Sequence, residues 1–155
     1  MVPLSAGEEA FLRAWSRAAL IVPRALDADL LSGQGMSLSE YTALMHLSEA
    51  PGRSLRMSDL ASACALSLSG MSRIVSRLAA QGLVERERAS CDGRGLYAVL
   101  TDAGLGRLRR AWPTHLASVR RHMMDHLGEL DLPGVTAALQ CFASGTPDTG
   151  PQQEA

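Results

Sequence analysis

The feature that most constrains this chain is the run from Ser67 to Thr101, in which a helix bearing hydroxyls and guanidiniums on one side leads directly into a short hairpin. Ser69, Ser72, Arg73, Ser76 and Arg77 recur at helical spacing, while Leu68, Met71, Val75 and Leu78 take the opposite stripe, so the segment reads as an amphipathic helix. A merely solvated helix would more usually carry Glu and Lys. Serines and arginines on one face suit phosphate oxygens and base edges. Ser67 is a good N-cap and Gly82 stands where a C-cap glycine belongs, which predicts a helix running to about Gln81. Beyond it, Leu83 to Arg88 and Leu96 to Leu100 flank the polar tip 89–95 and predict a hairpin that is a wing rather than a core sheet.

Charge is concentrated in the same region. Arg53 to Arg94 contains seven arginines against Asp59, Glu85, Glu87 and Asp92, a net of +3, although the whole chain carries -1 and the remainder therefore -4. A local basic footprint is what contact with a polyanion requires. The 155 residues make one ordinary, mostly helical domain, with too few aromatics and β-branched runs for a β-sandwich. No apolar stretch approaches the ~18 residues of a membrane span, and the start MVPLSAGEE lacks the order of a signal peptide, so a cytoplasmic protein without membrane contact is expected. Cys64, Cys91 and Cys141 are odd in number and widely spaced, which fits reduced thiols better than a disulfide framework or a zinc site.

The flanking segments are helical by pattern. Ser5 and Glu8 have capping-box spacing, after which Phe11, Trp15, Ala18, Val22, Leu26 and Leu30 form a stripe, with Pro23 a candidate bend and 32–35 a loop. Ser37 and Glu40 repeat the box before a second helix with Leu38, Tyr41, Leu44, Met45 and Leu47 as its core stripe, closed by Pro51-Gly52. An extended piece over 53–56 leads to a short third helix from about Ser58 to Cys64, with Leu60 and Ala61 facing inward. Joined tightly to the Ser67 helix, it makes a helix-turn-helix candidate. Thr101 to Gly104 should cap a helix of roughly two dozen residues, striped by Leu105, Leu108, Trp112, Leu116, Val119, Met123 and Leu127, with Pro113 a possible kink. A last helix is expected from about Leu132 to Phe142, followed by a disordered tail over 144–155. The outer helices, about 5–31 and 102–143, carry more apolar surface than a small winged helix over about 37–100 needs. A homodimer is the economical explanation, and a two-fold pair of reading helices about one turn apart matches a palindromic operator.

These residues resemble the multiple antibiotic resistance regulator (MarR) family of dimeric winged helix-turn-helix transcription factors. The resemblance is most specific at Asp92-Gly-Arg94 followed by Leu100-Thr101, and is supported upstream by Ser72-Arg73-Ile-Val-Ser-Arg77-Leu78 and Gly82-Leu-Val-Glu-Arg86; it covers roughly residues 5–143. It implies a mainly α fold with a small β-wing, double-stranded DNA as partner, and a small-molecule effector that modulates DNA affinity. Arg94 would enter a minor groove with Asp92 holding its guanidinium, Ser69, Ser72 and Arg73 would meet major-groove edges, and Ser67, Arg77 and Arg88 would lie nearer phosphates. Asp92 and Arg94 stabilising a surface turn is the plainer alternative. The effector cleft would lie between the dimer helices and the winged part; Trp15, Tyr41 and His46 are guesses for its lining, each more simply a core residue.

Other constellations are weaker. Cys91, beside Arg88 and Arg94, departs from the common family pattern and has the setting of an oxidation-sensing thiolate, with an inert surface thiol as the alternative. His115, His122 and His126 share a helical face by spacing, which a metal site would use, but no cysteine or glutamate cluster accompanies them and no metal or cofactor is expected. No phosphate loop or paired carboxylates suggest an enzyme. The competing function is a winged-helix interaction module that dimerises without reading DNA.

Overall fold

The computed structural model describes residues 2–88 and 95–144. Helix α1 spans Ala6–Gln34 and opens with the expected capping box, in which Ser5 and Glu8 satisfy each other's backbone amides. It runs through the predicted loop over 32–35. The chain leaves the helix only at Gly35, whose φ of 59° gives the left-handed cap and sends its amide to the Leu30 and Leu31 carbonyls. Helix α2, Leu38–Glu49, starts from the second capping box at Ser37 and Glu40. A single helical turn, Pro51–Arg53, carries the chain into strand β1, Ser54–Arg56.

Helix α3, Met57–Ala63, and helix α4, Leu68–Ala80, form the helix-turn-helix, joined through Ala65 at a positive φ of 52°. The end of α4 is a Schellman turn: the Gly82 amide meets the Ala79 carbonyl at 2.9 Å and the Leu83 amide meets Leu78 at 3.0 Å, with Gly82 at φ 69°. Strands β2, Val84–Arg88, and β3, Leu96–Leu100, are the predicted hairpin arms. Their base is more than a wing. Strand β1 pairs antiparallel with the free side of β3, giving the order β1-β3-β2, and Val84, Ala98 and Leu100 are buried in the core. Three residues of extended chain after a proline turn are too short to announce a strand, which is why the third member was not evident from the pattern.

Helix α5 spans Asp102–His122, shorter than expected, because the backbone breaks at Met123 (φ −140°) into a turn at Met124–His126; helix α6 follows at Leu132–Ser144. The expected tail beyond Ser144 lies outside the described residues, as does the wing tip 89–94. The core is built from Leu30, Tyr41, Leu44, Leu47, Leu60, Met71, Val75 and Leu78 and the sheet base. The whole N-terminal part of α1, up to Ile21, is exposed, with Phe11 at 60% and Trp15 at 41%, and so is almost all of α6, with Phe142 at 60%. Trp15 is therefore not a core residue of this chain.

Two junctions hold the long helices to the winged part. Thr101 caps α5 by accepting from the Gly104 amide and also donates its hydroxyl to the Gly82 carbonyl at 2.8 Å, so one side chain fastens α5 to the end of α4. Gly104 permits it: a Cβ there would stand 2.1 Å from the Leu83 carbonyl oxygen and 2.6 Å from a Leu100 methyl. At the other junction, Asp29 of α1 accepts through one oxygen from the buried Ser118 hydroxyl at 2.5 Å and from Arg121 at 2.5 Å, and meets His122 Nε2 at 3.0 Å. Nearby, Arg107 donates to both the side chain and the backbone carbonyl of Gln34, which in turn donates to Thr114 at 2.7 Å.

Gly104→Ala should cost about 1–3 kcal/mol in a urea melt, since the clash is with backbone that a rotamer change does not relieve. The Ser118 and Arg121 hydrogen bonds, with His122 adding to them, hold the Asp29 carboxyl at about 2, below its ordinary 3.8. A carboxylate depressed in the folded state contributes stability above its unfolded value and loses it as pH falls through the folded one, here between about pH 4 and pH 2. Asp29→Asn should flatten the acid limb of stability in that window; an unchanged acid limb in circular dichroism melts would show that the cluster is not linked to folding.

Candidate nucleic-acid interface

The arrangement around α4 follows from which of its faces the core consumes. Met71, Ile74, Val75 and Leu78 are buried, leaving the predicted hydroxyl and guanidinium face outward. Leu68 departs from the expected apolar stripe. Being the first residue of the helix, it projects past the core and is 56% exposed. With Met57, Leu96, Arg56, Ser58 and Ser72 it lines an open notch of about 320 Å³ between α3, α4 and the wing base. Arg56 is held there by Tyr97, donating Nε to its hydroxyl at 3.0 Å and lying over its ring.

The predicted contact residues divide into two sets. Ser67 is engaged as the N-cap, accepting from the Gly70 amide at 3.1 Å, and its hydroxyl lies 3.2 Å from that of Ser69. Ser69 and Arg73 are exposed on the first turns of the helix, and Arg88 is exposed at the outer end of β2. Among the described residues Arg73 and Arg88 have no hydrogen-bond or ion-pair partner. Ser72 is half-buried beside the notch. Farther along, the same face is tied down by side chains from other elements. Arg77 donates Nε to Glu40 at 3.1 Å, the same carboxylate that caps α2. On the other flank, Arg86 of β2 donates to the Ser72 carbonyl at 2.8 Å and the Ser76 hydroxyl at 2.7 Å. Asp92, Arg94 and Cys91 lie outside the described residues.

Arg86 and Glu40 were not singled out from the sequence as parts of this surface. Arg86 had a legible signal, since the two-residue period of a strand puts it on the same face as Val84, toward α4 rather than away from it. Glu40 gave none beyond its capping role.

The three histidines do not converge. His115 stacks on Tyr41 with ring centroids 4.3 Å apart, His122 meets Asp29, and His126 lies beyond the end of α5, 3.0 Å from the Arg121 carbonyl. Of the residues guessed for an effector cleft, Tyr41 is buried at the α2–α5 junction, Trp15 is exposed far along α1, and His46 is half-buried on α2. Burial, with Glu49 assisting, pushes the Tyr41 hydroxyl up to about 12, and burial lowers the His115 imidazole. Among the described residues neither the Tyr41 hydroxyl nor His115 Nδ1 has a hydrogen-bond partner. Cys64 is a half-buried residue packed against the core, and its thiol is pushed up by burial. No helix among the described residues is long and apolar enough to cross a membrane.

A sequence model of the MarR family matches residues 34–95, the segment from the last residue of α1 to the residue before β3. No curated protein sequence matches the chain. Among solved structures, Sco3205, a MarR family transcriptional regulator from Streptomyces coelicolor in complex with DNA, is 34% identical, with a TM-score of 0.86 over 96% of this chain and 93% of its own. AbsC, a MarR family transcriptional regulator from the same organism, is 37% identical, with a TM-score of 0.83 over 94% of this chain and 97% of its own. CouR from Rhodococcus jostii RHA1, solved bound to p-coumaroyl-CoA, shares the fold at 22% identity, with a TM-score of 0.76 over 93% of this chain and 99% of its own. With a winged helix-turn-helix between long flanking helices, and more than a third of its residues shared with AbsC along nearly the full length, the chain belongs to the MarR family of transcriptional regulators.

Proposed function

We propose that the chain is a homodimeric DNA-binding regulator in which α4 enters the major groove and the wing the adjacent minor groove, with DNA affinity set by a small-molecule effector. The observation that carries this reading is the open first half of the α4 face. Ser69 and Arg73 are exposed at the amino end of the helix, where helix-turn-helix proteins make base contacts, and among the described residues Arg73 meets no carboxylate. The DNA complex of Sco3205, at 34% identity, points the same way. In this reading Ser69, Ser72 and Arg73 meet base edges, Ser67 and Arg88 meet phosphates, and Arg77 reaches a phosphate with the guanidinium nitrogens that Glu40 leaves over. Asp92 positions Arg94 in the minor groove.

A second copy of the chain is the natural cover for the exposed apolar residues of α1, α5 and α6, among them Phe11, Trp15, Leu20, Trp112 and Phe142. An interface of that kind gives two reading helices related by a two-fold axis, and hence a palindromic operator. The effector is supported by the Tyr41 and His115 pair, two buried polar atoms with no hydrogen-bond partner among the described residues, at the junction of the winged part and α5. A buried polar group left unsatisfied is costly, so a ligand that supplied the missing hydrogen bonds would favour whichever spacing of the reading helices accommodates it.

Binding to a palindromic duplex should fall steeply with added salt. Arg73→Ala and Arg94→Ala should each weaken it by about 1–3 kcal/mol while leaving the dimer intact in sedimentation, as expected for groove contacts. If the purified protein shows no salt-sensitive binding to duplexes from its own promoter region, the regulator reading fails and a winged-helix interaction module takes its place.

A further inference from the structure

We propose that Arg86 is a positioning residue for DNA recognition: it braces the wing against α4 so that the two sets of groove contacts fall in register. The inference rests on the reading above that both elements meet DNA. From one nitrogen, Nη2, Arg86 reaches the Ser72 carbonyl at 2.8 Å and the Ser76 hydroxyl at 2.7 Å, and that hydroxyl itself donates to the Ser72 carbonyl at 2.7 Å. The three groups form a closed triangle between strand and helix.

The rest of the wing explains why such a brace matters. Only Val84 of β2 is buried, and Glu85, Arg86, Glu87 and Arg88 are all exposed, so beyond Val84 the strand contributes no buried side chain. The Schellman turn at Gly82 sets where the chain leaves the helix, but a turn at one end leaves the lean of a projecting hairpin free. Arg86 acts four residues farther along, where its backbone is paired to the buried Ala98 of the central strand. Its partners are a carbonyl and a hydroxyl, and among the described residues it pairs with no carboxylate that would offset its charge. Two roles are thereby open to the same side chain, a phosphate contact and a brace, and they differ in what they do to sequence discrimination. A phosphate contact strengthens every duplex alike. A brace strengthens the duplex whose two grooves match the angle it fixes.

The test uses the full-length protein, a duplex that the wild type selects from a random pool, and a scrambled duplex of the same composition. Affinities of wild type, Arg86→Ala, Arg86→Lys, Ser76→Ala and the Arg86→Ala/Ser76→Ala double variant are measured by fluorescence anisotropy over a range of salt. Arg86→Ala and Ser76→Ala should each lower the ratio of selected to scrambled affinity about tenfold, in keeping with one charged hydrogen bond. The double variant should be no worse than Arg86→Ala, because both changes break the same triangle. Arg86→Lys should fail to restore the ratio, since the lysine ammonium does not reproduce the reach and geometry of the fork. Equal losses on both duplexes, a salt slope lower by about one and rescue by lysine would identify a phosphate contact and overturn the brace. So would an unchanged ratio in Arg86→Ala, or a Ser76→Ala effect that adds fully to it. A wild-type protein that selects no duplex overturns the regulator reading itself, an outcome distinct from all of these.

Discussion

The structure depends on one knot, where Gly82, Leu83, Thr101 and Gly104 meet. Thr101 caps α5 with the same side chain that holds the Gly82 carbonyl, and its amide donates to the Leu83 carbonyl at 3.2 Å. The first turn of α5 can press this close only because Gly104 has no side chain. In consequence the end of α4, both arms of the wing and the start of α5 are fixed to a common point. Any displacement of α5 is delivered to α4 and the wing together.

The amino-terminal helix meets this assembly through two carboxylates on its last turns. Asp27 accepts from the Leu38 amide at 2.7 Å, joining α1 to the start of α2, and Asp29 gathers Ser118, Arg121 and His122 of α5. From α2 the connection continues, since Glu40 both caps that helix and receives Arg77 of α4. A hydrogen-bonded path thus runs from α1 through α2 to α4 on one side, while Arg86 reaches it from the wing on the other. The flanking helices and the exposed face of α4 are physically continuous through these side chains.

What the sequence made legible was local. Capping boxes at Ser5 and Ser37, the caps at Ser67 and Thr101 and the glycine turn after α4 are decided by neighbours within four residues, and each formed as its pattern implied. Distant partners decided the rest. Gly33 stays helical because α1 continues across Thr114 of α5, which local loop-forming residues could not reveal. Strand β1 exists only because β3 is there to pair with it. Leu68 fits an apolar stripe by count, yet the core ends before its turn of helix begins. For the surface, residue type marked the exposed face of α4, but not that Ser76 and Arg77 would be taken by Arg86 and Glu40, partners from other elements.

The crossing at Gly33 has a geometric consequence. On either side of it, the bonds between Gln34 and Arg107 and the Asp29 cluster hold α1 to α5; farther toward the amino end the helix up to Ile21 is exposed, and Pro23 deprives the backbone of one hydrogen bond on the way. From Gly33 to Phe11 a helix extends about 33 Å. It is a long arm on a short fulcrum: tilting it by about 5° at the crossing sweeps Phe11 through about 3 Å, by the same rise per residue. Read in the other direction, a few ångströms of movement at the far end arrive at the crossing as a small rotation with multiplied force.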